Sequence, residues 1–164
     1  LRPKVNTKLL ITVYNTLILP HLTYCITTWG KTYKKYTKDL ITTQKKIVRI
    51  ITYSPRLTPS APLFSRLHIM PFAQLYIYHT LILAYKLINN ALPNIVAQSL
   101  CSHPTRSYST RNDHRIPLTF RNLTTSRFGI KYNIPRFYNE LPSHLKTLNS
   151  LSTFKKQIKI HLTI

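Results

Sequence analysis

The chain has very few acidic side chains. Its 164 residues include 24 Lys and Arg but only three carboxylates, Asp39, Asp113 and Glu140, so the formal net charge is +21 at pH 7. Most of the cations cannot be neutralised within the fold, and a polyanion such as a phosphate backbone is the expected counter-charge. Metal-dependent polymerase and nuclease sites need two or three convergent carboxylates, whereas these three are far apart in sequence. We therefore predict no catalytic residue here.

Glycine is even scarcer than acidic residues. Gly30 and Gly129 are the only two glycines, against 11 prolines. The Gly-rich loops that cradle phosphates in nucleotide-binding enzymes are therefore excluded, and turns have to be built from Pro, Asn, Ser and Thr. The chain begins at Leu1 rather than at a methionine, and we expect it to be a piece of a longer product.

Cysteine is also rare, and no metal-binding pattern is present. Cys25 and Cys101 lack any C-x-x-C spacing, which indicates a reducing compartment. We expect an intracellular protein of the cytoplasm and nucleus. Cys101, His103 and His114 come nearest to a ligand cluster, but a zinc site takes four ligands in two close pairs. No metal site and no cofactor are predicted in this chain.

The longest stretch without a charged side chain covers residues 9–30. Its length approaches the roughly 20 residues that cross a bilayer. Asn15, Pro20, His21 and several Thr make it only moderately apolar and interrupt it near its middle. We favour two buried helices that meet at Pro20, and we keep a membrane-associated segment as an alternative.

Apolar spacing predicts helices along most of the chain. Asn6 or Thr7 begins the first helix, a third helix buries Leu40, Ile47, Val48 and Ile51, and the strongest pattern covers residues 71–90. Residues 54–62 contain three prolines and predict a rigid loop. The last helix turns Leu151, Phe154, Ile158 and Leu162 inward.

The fold class that follows is mainly α, with one irregular region. Residues 99–127 are dominated by Ser, Thr, Asn, His and Arg without apolar periodicity, which predicts a long basic loop or arm. Phe128, Ile130 and Tyr132 alternate with polar residues and predict a short strand or hairpin before the C-terminal helix. We divide the chain into residues 1–53, 54–98, 99–127 and 128–164.

Three basic stretches, residues 31–49, 106–131 and 155–159, carry aromatic residues or lie on a predicted helix face, as backbone-binding surfaces require. Tyr33 and Tyr36 accompany the first stretch, and Tyr108 and Phe128 accompany the second. No pattern suited to reading base sequence is present. The candidate nucleic-acid-binding residues are Lys31, Lys34, Lys35, Lys38, Lys45, Lys46, Arg49, Arg106, Arg111, Arg115, Arg121, Arg127, Lys131, Lys155, Lys156 and Lys159.

A series of short motifs runs along nearly the whole chain. They are Y-x-x-L-I-x-P-H-L-x-Y…W-G at 14–30, Q-K-K-x-V-R-I-I at 44–51, A-P-L-F-x-x-L at 61–67, N-x-L-P at 90–93, Y-x-T-R at 108–111, F-x-I-x-Y-x-[I/G]-P-x-x-[Y/W]-N-x-L-P at 128–142 and S-x-F-K-K at 152–156. The order of these motifs resembles the C-terminal region of reverse transcriptases from jockey-like, LINE-class non-LTR retrotransposons. Two positions depart from the family's pattern, since Ile134 replaces its Gly and Tyr138 its Trp.

This resemblance implies a thumb-like helical bundle and the post-thumb extension of an RNA-directed DNA polymerase. The family's catalytic Y/F-A-D-D motif lies upstream of everything present, so the chain should be inactive alone, and Mg²⁺ belongs to the parent polymerase. The implied partners are RNA, RNA–DNA hybrid or DNA, and the upstream palm of the same polyprotein. The implied role of Lys38, Lys45 and Arg49 is contact with the nucleic-acid backbone.

Two other classes of protein suit the same charge. A basic structural RNA-binding protein would prefer folded RNA to an RNA–DNA hybrid. A membrane-associated protein would use residues 9–30 and their basic flanks on an anionic bilayer. We expect no small-molecule substrate.

Overall fold

Helices are the regular secondary structure throughout the part of the chain that the structure describes. The computed structural model describes residues 5–100, 116, 118 and 122–163. The predicted mainly α fold is confirmed. The α-helices in chain order are α1 (Thr7–Val13), α2 (Leu19–Thr23), α3 (Ile26–Trp29), α4 (Lys34–Ile51), α5 (Ala61–Leu67), α6 (Phe72–Ile88), α7 (Asn94–Leu100), α8 (Ile130–Glu140), α9 (Ser143–Lys146) and α10 (Leu151–Thr163).

The chain divides into two compact units. The first ends at Tyr76 and the second begins at Ile77, so the boundary falls within α6. This boundary falls inside the predicted segment 54–98, and the division into four segments stays a prediction. The predicted helix at 71–90 is confirmed within two residues at each end. The predicted proline-rich loop at 54–62 is confirmed as far as Ser60, whereas Ala61 and Pro62 belong to the first turn of α5.

The helical segment that begins with α1 widens into a π-helical turn before Pro20. The Asn6 side chain caps α1 by accepting a hydrogen bond from the Lys8 N–H at 3.0 Å. A π-helical turn, Tyr14–Ile18, then leads into α2, and the Leu19 N–H reaches back five residues to the Tyr14 carbonyl. Pro20 lies in the first turn of α2, where the missing N–H of proline is tolerated. In place of the predicted break at Pro20, the structure has a widened turn just before the proline, and the chain stays helical through Pro20.

Gly30 permits a close approach between α3 and α6. A Cβ at this position would lie 2.5 Å from the Ile26 carbonyl oxygen and 2.6 Å from a ring carbon of Tyr76, so no larger residue fits without a shift. The preceding Trp29 stacks on Phe72 with ring centroids 5.4 Å apart. The Trp-Gly pair therefore joins the end of α3 to the start of α6 within the first unit.

The core of the first unit is built around one face of α4. This face buries Thr37, Gln44, Val48 and Ile51, and Leu40 and Ile47 are partly buried beside them. The predicted core face of α4 is thus confirmed. The buried cluster consists of Tyr14, Leu22, Val48, Ile51, Leu63, Phe64 and Ile69.

The second unit packs the later part of α6 with α10. The Tyr85 ring lies 4.3 Å, centroid to centroid, from the ring of Phe154, and its hydroxyl donates a hydrogen bond to the Leu148 carbonyl at 2.9 Å. Phe154 and Ile158 are fully buried, while Leu151 and Leu162 are partly buried. The predicted inward face of α10 is confirmed.

The strand predicted around residues 128–132 is wrong. A 3₁₀ turn, Thr125–Phe128, precedes α8, and α8 continues through Pro135. The buried Asn133 fixes this start, because its amide nitrogen lies within 3.1 Å of the carbonyl oxygens of Arg127, Phe128 and Gly129. Three buried residues of α8, Ile134, Phe137 and Tyr138, follow a helical spacing that Leu141, just after the helix, continues. The short alternation at residues 128–132 concealed this helical pattern.

Most of the predicted basic arm, residues 99–127, lies outside the described residues. Its two ends are helical rather than irregular, because α7 continues to Leu100 and the 3₁₀ turn begins at Thr125. Ile116 is anchored to α8 by a pair of hydrogen bonds. Its N–H donates to the Asn139 side-chain oxygen at 3.0 Å, and the Asn139 amide donates to its carbonyl at 2.8 Å.

We predict that His79 makes the folded state sensitive to acid. Its ring meets Tyr78 edge-on at 5.4 Å, burial lowers the pKa of His79, and nearby Lys155 lowers it further. The unfolded chain, with a His pKa of about 6.5, binds more protons than the folded chain as pH falls. The stabilisation is therefore present above about pH 6.5 and is lost below it. Urea unfolding should show this loss.

The matched variants are His79→Gln and His21→Gln, since His21 is exposed on α2. His79→Gln should flatten the fall in unfolding free energy between about pH 7.5 and about pH 5.5, and His21→Gln should keep the wild-type fall. Parallel curves for wild type and His79→Gln would contradict this role of His79.

Candidate nucleic-acid interface

Five lysines form one exposed face of α4. Because each residue advances the helix by about 100°, the five lie within an arc of about 120°. All five are exposed, and Asp39 just beyond one edge of the arc is the acid nearest to it in sequence. We call this surface the α4 basic face; its members are Lys34, Lys35, Lys38, Lys45 and Lys46.

The buried Gln44 fixes how α4 is rotated in the first unit. It is 2% exposed, and its amide nitrogen donates to the Tyr14 hydroxyl at 3.0 Å and to the Met70 carbonyl at 3.0 Å. Its amide oxygen accepts from the Phe72 N–H at 2.9 Å. One side chain thus connects α4 to the π turn and to the start of α6. Lys45 and Lys46, the next two residues, are exposed.

Tyr14 is a neutral partner in this arrangement. Burial raises the pKa of Tyr14, and the hydrogen bond from Gln44 lowers it by a smaller amount. The phenol therefore stays protonated at neutral pH. The hydrogen bond between Tyr14 and Gln44, which helps to hold α4 on the core, is thus formed by two polar but uncharged groups.

Two predicted site residues, one before α4 and one within it, are partly buried rather than exposed. Lys31 lies in the bend before α4. Arg49 lies in the last turn of α4, where its Nε donates to the Thr58 carbonyl at 2.8 Å. The expectation that Arg49 contacts nucleic acid stays a prediction, and the structure adds a role for Arg49 in holding the loop that follows α4.

The other candidate cations that the structure describes belong to the second unit. Lys155, Lys156 and Lys159 are exposed on α10, and Arg127 and Lys131 are exposed at the 3₁₀ turn and at the start of α8. Four further candidates, and the aromatic Tyr108, lie outside the described residues: Arg106, Arg111, Arg115 and Arg121.

Aromatic rings accompany the α4 basic face at its N-terminal end. Tyr33 is 47% exposed and Tyr36 is 71% exposed, so both present ring surface on which an unpaired base could stack. Phe128, the aromatic residue predicted for the second basic stretch, is half-buried.

The sequence-based site prediction missed Arg56, an exposed cation in the loop after α4. Its signal was a single Arg between the prolines of that loop.

The described residues contain no group of three or more His, Cys, Asp or Glu side chains placed to hold a metal ion. In the same part of the chain, no single helix has the length and apolar character to cross a membrane; α5 and α6 together reach that length and composition, with a bend of 51° between them. The exposed Lys and Arg side chains of the described surface are groups that can bind anions.

Comparisons of the chain with protein-family models, with curated proteins and with solved structures give no match.

We predict that Gln44→Leu destabilises the fold by about 3 kcal/mol. The substitution leaves the buried Phe72 N–H and the partly buried Met70 carbonyl without these partners, and a buried group left unpaired costs about 1–3 kcal/mol. Urea unfolding measures the change. Gln157→Leu is the matched control because Gln157 is exposed on α10, and it should cost less than about 0.5 kcal/mol. Equal effects of the two variants would show that Gln44 does not hold α4.

Proposed function

We propose that this chain is the C-terminal, non-catalytic region of a retrotransposon RNA-directed DNA polymerase, and that it binds the phosphate backbone of RNA or of an RNA–DNA template-primer. The observation that carries the proposal is the α4 basic face, five exposed lysines on a helix whose opposite face is buried. Catalysis, with Mg²⁺, is assigned to the palm of the parent polymerase.

The shape of this face suits a polymer better than a small anion. Lys34 and Lys46 are twelve residues apart, which is about 18 Å along the helix at 1.5 Å per residue. Successive phosphates of one duplex strand advance by about 3.4 Å along the axis, so the face can follow several of them. Thr42 and Thr43, between its two ends, are exposed and uncharged. Binding of this kind positions a backbone and does not read its sequence.

Two further surfaces support nucleic acid as the ligand. Tyr33 and Tyr36 at the start of α4 would stack unpaired bases where a duplex becomes single-stranded. On the second unit, Lys155, Lys156 and Lys159 give α10 an exposed basic side opposite its buried Phe154 and Ile158. A chain with 24 Lys and Arg and three acids carries a long-range attraction to any phosphate polymer.

The resemblance to retrotransposon polymerases supports the same assignment. In the Q-K-K motif, Gln44 is buried and hydrogen-bonded, while Lys45 and Lys46 are exposed. In the W-G pair, Trp29 stacks on Phe72 and Gly30 allows close packing. The motif residues therefore divide into ones that set the fold and ones that present charge, as expected of a thumb that grips template and primer.

The binding of an RNA–DNA hybrid should depend steeply on salt. If the five lysines of the α4 basic face each contact a phosphate, log affinity should fall against log salt with a slope of about −4 or steeper, since each contact contributes about 0.9. Charge reversal in Lys38→Glu/Lys45→Glu should reduce the steepness by about 2 and weaken binding to all sequences alike. Fluorescence anisotropy across a salt series measures both quantities.

The matched control is Lys8→Glu/Arg66→Glu, which makes the same change of charge at two exposed positions of α1 and α5. It should leave a slope close to that of wild type. A wild-type slope near zero, or equal losses in both double variants, would refute the proposal. Tighter binding of a folded RNA hairpin would favour a structural RNA-binding protein, and co-flotation with anionic liposomes would favour a membrane-associated one.

A further inference from the structure

A pocket lies between the end of α4 and the loop that follows it, in the first unit. Its volume is about 270 Å³, and three of its six lining residues are cationic. The cations are joined by two apolar side chains and one hydroxyl. The lining residues are Lys46, Arg49, Ile50, Ser54, Pro55 and Arg56.

The end of α4 creates one wall of this pocket. Tyr53 adopts a left-handed conformation with φ 54°, and the N–H groups of Tyr53 and Ser54 donate to the carbonyls of Ile50 and Arg49 at 3.3 and 3.0 Å. This is the Schellman arrangement, which usually places glycine where Tyr53 stands. It turns the chain back sharply, so that residues 54–56 line the pocket together with the last turns of α4.

A second set of hydrogen bonds fixes the loop. The Arg49 Nε donates to the Thr58 carbonyl at 2.8 Å, and the Thr58 N–H donates to the Pro55 carbonyl at 3.1 Å. The Ser54 and Thr52 hydroxyls lie 2.9 Å apart and are hydrogen-bonded. Hydrogen bonds thus hold the loop that forms this wall of the pocket, and Pro55 lies where the loop turns.

The pocket favours an anion. Asp39, the acid of the first unit, precedes Arg49 by ten residues, which is about 15 Å along the helix and beyond the screening length of about 8 Å at physiological salt. A helix C-terminus normally repels anions through its carbonyl groups. Here the carbonyls of Val48, Arg49 and Ile50 accept hydrogen bonds from the backbone N–H groups of residues 52–54, so the three cations line the pocket beside a capped helix end.

We propose that this pocket binds one nucleotide, with its phosphate on Lys46 and Arg56 and its base against Ile50 and Pro55. This inference rests on the proposed function, in which the nucleotide is an unpaired one of the bound strand. Ile50 is 46% exposed, and Pro55 and Arg56 are exposed, so the required surfaces are accessible. A volume of about 270 Å³ lies just below the range of roughly 300–1,000 Å³ for small-molecule sites, which fits one nucleotide and not a folded polymer.

The full chain should be titrated with adenosine monophosphate, adenosine and inorganic phosphate, and binding followed by amide NMR shifts. We expect adenosine monophosphate to bind about ten-fold more tightly than either half of the molecule alone. Arg56→Glu should weaken its binding about ten-fold, and Ile50→Thr should weaken it while leaving the binding of inorganic phosphate unchanged. Arg66→Glu, an equal change of charge on α5, should alter it less than about two-fold.

Binding of adenosine monophosphate that is no tighter than that of inorganic phosphate, or equal losses in Arg56→Glu and Arg66→Glu, would overturn the pocket. Arg56→Gln repeats the test without charge reversal, and the amide spectrum of each variant reports whether it folds.

The binding of RNA–DNA hybrids distinguishes the pocket proposal from the proposed function. Arg56→Glu should lower the affinity for a hybrid with a single-stranded overhang more than that for a blunt hybrid. If Arg56→Glu affects both hybrids equally while the salt slope of wild type is as predicted, only the nucleotide pocket is refuted. If wild type does not bind the hybrid at all, the proposed function is refuted.

Discussion

The hydrogen bonds of Gln44 are the interaction on which the first unit depends. One amide contacts the Tyr14 hydroxyl, the Met70 carbonyl and the Phe72 N–H, so it joins α4 to the π turn and to the beginning of α6. A buried polar group with all these partners specifies one rotation of the helix, because any other rotation would leave unsatisfied groups in the core. The α4 basic face is exposed as a consequence of that rotation.

The cations of the chain have different roles although their charge is the same. Arg136 pairs with Glu140 at 3.3 Å, Lys146 donates to the Asn139 carbonyl at 3.2 Å, and Arg49 donates to Thr58. These contacts stabilise local structure. The five lysines of α4 instead stand together on one exposed arc. The proposed grip on a phosphate backbone comes from this grouping, and a count of net charge alone would not separate the two kinds of cation.

The sequence predicts the features that arise from long periodic patterns. The core face of α4, the helix at 71–90 and the inward face of α10 follow from apolar spacing over several turns. Prediction from the sequence fails where a short pattern is compatible with two kinds of secondary structure. Alternation at Phe128, Ile130 and Tyr132 suggested a strand, yet Asn133 and tertiary packing favour a helix. The binding of Arg49 to Thr58 and the pocket beside it depend on the left-handed turn at Tyr53, which no residue preference indicates.

Lysine footprinting tests the central claim most directly. The chain would be treated with an amine-reactive reagent, with and without an RNA–DNA hybrid, and modification of each lysine measured by mass spectrometry. The account predicts protection of Lys34, Lys38 and Lys45, with Lys8 on α1 as the exposed reference that stays reactive. Protection of Lys8 to the same degree as the α4 lysines, or unchanged modification of α4 when the hybrid is bound, would contradict it.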